Sequence, residues 1–339
     1  MLDLIIKQDC EKIIKSIKTY KFKKKKVLIL GGNSFLASYV QAVLSFVDCK
    51  IFSVSLNKKN NILKKINKKN FNFIQADLND EKKMNKILNK KFDFIFHFAT
   101  YGQPRKWKSN ELSTINLNVN LLKNILNHSV KYRSKVLYLS SATVYEIPKK
   151  NKLINENSSL TVGHFDSEII YANSKIIGEQ LCRIYIEKYK IPVYIVRPAH
   201  TYGPGQNYND PRIIPQLLKR ARYNKKIHLF DRGRSIRTWG YVADISMMIL
   251  NIVQFGKSMI YNVSGNDHKS IINVAKVISK LSNNKKILFK DKKLNYTNSK
   301  YTILKISSKK YNLEFKNKFK TNFIDGIKRT IRWNLLCQK

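Results

Sequence analysis

Sulfur, turn-forming residues and negative charge are all in short supply in this 339-residue chain. Its four cysteines, Cys10, Cys49, Cys182 and Cys337, lie far apart with no Cys-x-x-Cys spacing. That pattern argues against a zinc site or a disulfide framework, predicts no metal, and fits a reducing cytoplasm. With only 12 glycines and 7 prolines, collagen-like and low-complexity architectures are excluded. No stretch approaches the roughly 18 uninterrupted apolar residues of a membrane span. Residues 1–20 scatter charges among apolar positions, as an amphipathic helix does and a signal peptide does not. What is present, 43% hydrophobic and 26% charged residues, is the composition of a packed globular protein, long enough for a sheet domain and a smaller lobe.

Acidic residues number 22 against 65 basic ones, a formal charge of +43. Nucleic-acid binding is one reading, because cations neutralise phosphates. The composition favours another. Arginine, the better reader of phosphates, contributes 12 of the 65, and the 53 lysines are spread through KFKKKK, KKINKK and KNKFK rather than gathered in one arm. Joint enrichment in Lys, Asn and Ile is what an A+T-rich coding sequence produces, so neither a nucleic-acid partner nor a membrane is expected. A positive field also steers small anionic substrates.

Short β-branched or aromatic runs at 27–30, 51–56, 71–75, 93–98, 136–140 and 192–197 predict strands, and helical patterns near 35–46, 80–89, 110–129 and 168–189 separate them. Regular alternation predicts an α/β fold, a Rossmann-like doubly wound parallel sheet. After Pro198 the turn-rich PGQNYNDPRIIP breaks the pattern and predicts a smaller mixed α/β C-terminal lobe. The expected organisation is a helical extension over 1–24, a Rossmann-like sheet domain over 25–200 to which 238–265 return, and a smaller lobe built from 201–237 and 266–339.

The first strand runs directly into GGNSFLAS and a helix. Such a turn lets backbone N–H groups approach a pyrophosphate while the helix N-terminus favours its charge. Gly31, Ser34, Phe35 and Leu36 are therefore candidate cofactor contacts. From about Val27 to Trp333 the order of motifs resembles the extended short-chain dehydrogenase/reductase family, the sugar-nucleotide epimerases and dehydratases. In that family the loop reads Gly-x-x-Gly-x-x-Gly, matched here by Gly31, Ser34 and Ala37, so only the first glycine is retained. The resemblance places Ser55 where NAD-preferring members carry an acidic residue, followed by Asn57, Lys58 and Lys59. NAD and NADP both stay open, with NAD preferred. It further implies that Asp77 and Leu78 contact the adenine, that Phe98 and Ala99 of HFAT lie along the cofactor, and that Asn118 opens the next helix.

LYLSSATVYE at 137–146 resembles the strand ending that puts Ser141 beside the substrate hydroxyl, and YANSKIIGE at 171–179 resembles the Tyr-x-x-x-Lys helix. The resemblance thus assigns Ser141, Tyr171 and Lys175 as catalytic, the last two also touching the cofactor. Spacing alone is worth little, since Tyr20/Lys24, Tyr145/Lys149, Tyr296/Lys300 and Tyr301/Lys305 show the same interval. The preceding serine strand and the helical context select Tyr171. A phenol near pKa 10 must fall by about three units to act as a base at neutral pH, roughly 4 kcal/mol of differential stabilisation, which Lys175 and a positive nicotinamide ring would supply. RPAHTYGPGQ resembles the segment ending the sixth strand, with His200 in place of the usual asparagine beside the sugar diphosphate. DRGRSIRTWGYVADI places Arg237 where a family arginine clamps that diphosphate; Arg212, Arg234 and Thr143 are further substrate contacts, and Asp244 is structural.

Dehydratases of this family carry Asp-Glu just after the catalytic serine or threonine, and the decarboxylases keep a glutamate. Here Ala142 and Thr143 stand there, neither able to act as an acid or base. The expected activity is therefore epimerisation by transient oxidation at C4 of a nucleoside-diphosphate sugar, in a homodimer as is common in the family. A 4-keto-sugar reductase or a dehydratase/decarboxylase relative is the next reading. A Rossmann-like protein that binds without catalysing is the alternative of another class.

Overall fold

A computed structural model describes residues 2–149, 151–161, 169–223, 227–229, 231–282, 287–289, 302–316 and 320–336. Seven parallel strands form its centre: β1 (Lys26–Leu30), β2 (Lys50–Ser55), β3 (Phe71–Gln75), β4 (Phe94–His97), β5 (Lys135–Leu139), β6 (Val193–Pro198) and β7 (Ile260–Val263). They lie in the order β3-β2-β1-β4-β5-β6-β7, the doubly wound Rossmann-like α/β arrangement. Runs such as VLIL at 27–30 are buried throughout because a parallel sheet is covered on both faces.

Helices α1 (Leu4–Ser16), α2 (Phe35–Leu44) and α7 (Val242–Phe255) pack together on one face. Helices α3 (Glu81–Leu88), α4 (Leu121–Tyr132) and α5 (Ile170–Tyr189) cover the other. Residues 242–254 of α7 are all buried, so the helix is apolar nearly all round, as a helix inside the core must be. Helices α6 (Ile213–Arg222), α8 (Ile271–Leu281) and α9 (Phe323–Leu336) belong to the remaining part. There, strands Asp267–Ser270, Ile236–Tyr241, Ile303–Ile306 and Leu153–Ile154 form a second sheet, with His200–Tyr202 paired to Trp239–Tyr241.

The predicted strands fall within a residue or so of the observed ones. The helix expected over 110–129 is instead a short helix Glu111–Ile115, a five-residue π turn Asn116–Asn120, and α4. Such wide turns accommodate a residue that an α-helix would point elsewhere. Here it is Asn118, fully buried, whose Nδ2 donates to Ser174 Oγ of α5 at 2.9 Å. Strand β7 is short and carries no alternation, which is why its sequence gave no strand signal. Cys10, Cys49 and Cys182 are buried and free; Cys337, Tyr296 and Tyr301 lie outside the described residues. No helix among the described residues is long and apolar enough to cross a membrane.

Candidate active site

Every strand of a parallel sheet points its carboxyl end at one edge, and where the strand order reverses the two flanking connections diverge and leave a crevice. The reversal here falls between β1 and β4. A cleft of about 2300 Å³ opens at that edge. It is lined by the loops leaving β1 (Gly31, Ser34, Phe35, Leu36), β2 (Ser55, Asn57), β3 (Asp77, Leu78), β4 (Phe98, Ala99), β5 (Ser141, Ala142, Thr143) and β6 (His200), by Tyr171 of α5, and by Arg212, Arg234 and Arg237. Of the predicted site residues, only Lys175 does not reach its surface.

On the β1 side, Gly31 has φ +80° and a Cβ there would stand 2.7 Å from the Ala99 backbone, so glycine is required by the crossing of two strand ends. Gly31 and Gly32 N–H donate to Val54 O at 2.9 and 3.0 Å, holding the turn against β2. Ser34 precedes α2 without capping it through its side chain, which leaves the first-turn N–H groups of the helix to face the cleft. Serine in place of a glycine thus preserves the turn. Ala37, wholly buried, packs α2 against the sheet. A dinucleotide pyrophosphate fits this turn. At the end of β2, Asn33 Nδ2 donates to the carbonyls of Asn57 and Lys58 at 2.7 and 2.8 Å. Lys59 turns away, its Nζ lying over the rings of Phe71 and Phe73. Neither Lys58 nor Lys59 lines the cleft. Asp77 Oδ1 accepts from the backbone and side chain of Asn79, fixing the loop after β3.

The reacting end lies at β5 and α5. Ser141 Oγ accepts from Thr143 N at 3.2 Å and Thr143 Oγ1 at 2.9 Å. Tyr171 sits beside it in the first turn of α5, its ring 4.7 Å from the Trp107 ring and 12° from parallel. Burial pushes the Tyr171 phenol up to about 12, opposed by the neighbouring Ser141 hydroxyl and by the Arg212 charge. The lowering expected from sequence requires the positive nicotinamide ring as well as Lys175; in the protein alone, close packing around the ring makes desolvation the larger effect. Lys175 is one turn further on and 1% exposed. Its Nζ donates to Leu139 O at 2.6 Å and lies 4.7 Å over the Tyr138 ring and 5.9 Å from the Tyr171 ring centre. Burial pulls its pKa down to about 7, with Glu179 opposing. The pair therefore shares one face of α5, with the ammonium behind the phenol.

Beneath Ser141 and Lys175 runs a buried polar network. Arg197 of β6 donates to both oxygens of Glu179, at 2.8 and 2.5 Å, and to Tyr145 OH at 2.8 Å. Ser140 Oγ donates to Glu179, and Tyr145 OH to Asn262 Oδ1 of β7. Three motifs that lie far apart in sequence are thus one bonded unit.

Elsewhere on the cleft lining, Arg212 is chelated by Asp210, Nε to Oδ1 at 3.0 Å and an NH2 to Oδ2 at 2.5 Å. Arg237 donates to the carbonyls of Ile236 and Thr302. His200 stands edge-on to Trp239, 5.4 Å between centres, and burial plus the Arg237 and Arg212 charges pull its pKa down to about 3. It is therefore neutral, one donor and one acceptor. Asp244 accepts from Thr321 N and Oγ1 and ties α7 to the last part of the chain, away from the cleft. Sequence reasoning missed Trp107, Arg220 and Arg232. The signal lay in composition: five of the 12 arginines line the cleft, against one described lysine, Lys106. Among the described residues no cluster of three or more His, Cys, Asp or Glu is placed to hold a metal.

The description "NAD dependent epimerase/dehydratase family" matches residues 27–264. The chain belongs to that family. This epimerase/dehydratase-family chain is 28% identical over 269 residues to dTDP-D-glucose 4,6-dehydratase of Homo sapiens, covering 76% of this chain and 74% of that one. It is 23% identical over 264 residues to UDP-glucuronic acid decarboxylase 1 of Xenopus tropicalis, covering 76% and 60%. Its fold matches that of UDP-glucose 4-epimerase from Thermotoga maritima with a TM-score of 0.80 at 17% identity, over 93% of this chain and all of that one.

Proposed function

We propose that this chain is an NAD-dependent epimerase that inverts C4 of a nucleoside-diphosphate sugar. The observation that carries the reading is what stands around Ser141 and Tyr171. Asp77 and Asp210 are the cleft's two carboxylates among the described residues. The first is engaged with Asn79 and the second with Arg212. Ala142 and Thr143 follow Ser141, so among the described residues no acid is at hand to expel a hydroxyl or steer loss of a carboxylate, the reactions named for the two curated relatives. Inversion at C4 needs none.

Ser141 orients the sugar hydroxyl and Tyr171 takes its proton, with Lys175 behind the phenol supporting the charge that develops. A bound dinucleotide would supply the hydride acceptor, and then the hydride donor, that inversion at C4 requires. Gly31, Ser34, Phe35, Leu36, Ser55, Asp77, Leu78, Phe98 and Ala99 hold it. The placement of Lys58 and Lys59 outside the cleft supports NAD rather than NADP, since among the described residues neither lines the cleft beside Ser55 to bind a 2′-phosphate. Arg237, with Arg212, Arg234, His200 and Thr143, binds the substrate; guanidinium groups suit a diphosphate. In this assignment residues 25–200 and 238–265 serve the cofactor, 201–237 and 266–339 the sugar nucleotide, and 1–24 extend the first unit. The working form is a homodimer in the cytoplasm.

Incubation of the purified protein with UDP-, GDP-, CDP- and dTDP-sugars, followed by NMR, is expected to reveal inversion at one carbon that Tyr171→Phe reduces by 10³-fold or more, on the order of a lost general base. Undiminished turnover in Tyr171→Phe overturns the assignment. Products that have lost water or carbon dioxide overturn the choice of epimerisation.

A further inference from the structure

The proposed reaction assigns no task to Trp107. This residue lies in the five-residue helix Pro104–Lys108, within the connection from β4 to α4. It lines the cleft and stacks face to face on Tyr171. Its indole Nε1 is buried and has no hydrogen-bond partner, whereas a tryptophan N–H in a packed interior ordinarily finds an acceptor. Thr100, earlier in the same connection and also lining the cleft, has a buried and unpartnered Oγ1. The connection also brings Gln103 beside Asp210, the carboxylate that holds Arg212. One strap therefore brings a flat apolar ring and two unmatched polar atoms to the side of the cleft occupied by Tyr171.

Those are the features that a pyranose complements, since its C–H faces are apolar and its edge is a row of oxygens. We propose that Trp107 is a specificity-determining residue of the sugar subsite, its indole walling one side of the reacting carbon and its N–H donating to a sugar oxygen next to the hydroxyl that Tyr171 deprotonates. Because the ring covers one face of the phenol, it confines the approach of the sugar to the Ser141 side. Thr100 supplies the second polar contact from the same strap. This assignment rests on the sugar-nucleotide reading above.

Two variants separate the roles of the ring and the N–H. Trp107→Phe keeps a flat ring on Tyr171 and removes the donor. With the nucleotide sugar that the wild type converts best, it is expected to raise KM about tenfold with a smaller effect on kcat. Trp107→Leu removes the stack as well; kcat is expected to fall at least tenfold further, and the rising limb of the kcat/KM against pH profile to move to lower pH as water reaches the phenol. Titration with the matching free nucleoside diphosphate is expected to give the same Kd for all three proteins, because the contact is with the sugar. A Trp107→Phe protein with wild-type KM overturns the proposal alone, and so does one whose nucleoside-diphosphate affinity falls in step with KM. A wild-type protein that neither binds nor converts any nucleotide sugar overturns the functional reading and this proposal together.

Discussion

Burial acts in opposite senses on the two residues at the reacting end, raising the Tyr171 phenol and lowering the Lys175 ammonium. Both shifts disfavour charge, and in both desolvation is the largest cause. The lysine shift has a consequence for stability. Folded Lys175 releases its proton near pH 7 and an unfolded lysine near 10.5, so the folded state binds fewer protons between those values. The group's contribution to stability is complete above 10.5 and is lost as pH falls to 7. Lys175→Met, of similar volume and uncharged, is expected to unfold a few degrees higher than the wild type at pH 6, with the gap narrowing by pH 9, while turnover falls about 10³-fold. Calorimetry at the two pH values checks it; a variant less stable than wild type at pH 6 contradicts the burial argument. Sequence alone singled out Ser141, Tyr171 and Lys175, which the fold brings together where β5 meets α5, because motif order reports which strand and helix meet. It did not show how strongly the phenol is desolvated in the protein alone, because Trp107, stacked on its ring, belongs to a connection with no periodicity to read.

At the scale of one element, α5 carries two unlike faces. Tyr171, Ser174, Lys175, Gly178, Glu179 and Cys182 are buried. Gly178 is there for a contact reason: a Cβ would stand 2.3 Å from Tyr138 OH, and Tyr138 is the ring over which Lys175 lies. Ile177 and Ile184, seven residues and two turns apart, are 50% and 45% exposed on the outer side. An exposed apolar stripe of this kind on the helix bearing the catalytic pair is where the proposed dimer would close. Replacing both with lysine is expected to convert a dimer to a monomer in light scattering with little loss of thermal stability. A double variant of unchanged mass would place the contact elsewhere. Periodicity located α5 to within two residues, since its buried face repeats regularly. The π turn before α4 escaped it, because the turn is set by one tertiary bond, Asn118 to Ser174, that no local pattern encodes. The pairing of Arg197 with Glu179 was equally hidden, although both residues stood inside motifs that sequence comparison had marked.

Across the whole molecule, the charge of +43 and the cleft tell different stories. Lysines are the default cation of the surface, while arginine is concentrated at the cleft. The first helix has a further molecular role that composition did not foretell. Asp9 of α1, 2% exposed, accepts from Tyr39 OH of α2, from Tyr241 OH and from Arg329 of α9, the last at 2.7 Å. Asp3 accepts from Lys65 and from the Trp333 indole, and Trp333 lines the cleft. Asp9→Ala leaves the Arg329 guanidinium and two phenols without their acceptor and is expected to cost about 3 kcal/mol, read as a lower midpoint in urea with unchanged slope. A loss below about 1 kcal/mol would mean that solvent replaces the carboxylate.

The joining of Asp9 to Arg329 also bears on how the molecule comes into being. A ribosome releases Asp9 some 320 residues before its cationic partner, so the emerging sheet domain holds a buried carboxylate with only the Tyr39 and Tyr241 hydroxyls to satisfy it until the last helix arrives. Chains cut short before Arg329 lack that closing ion pair and carry a buried carboxylate without its cation, a destabilised state of the sort that cellular quality control removes.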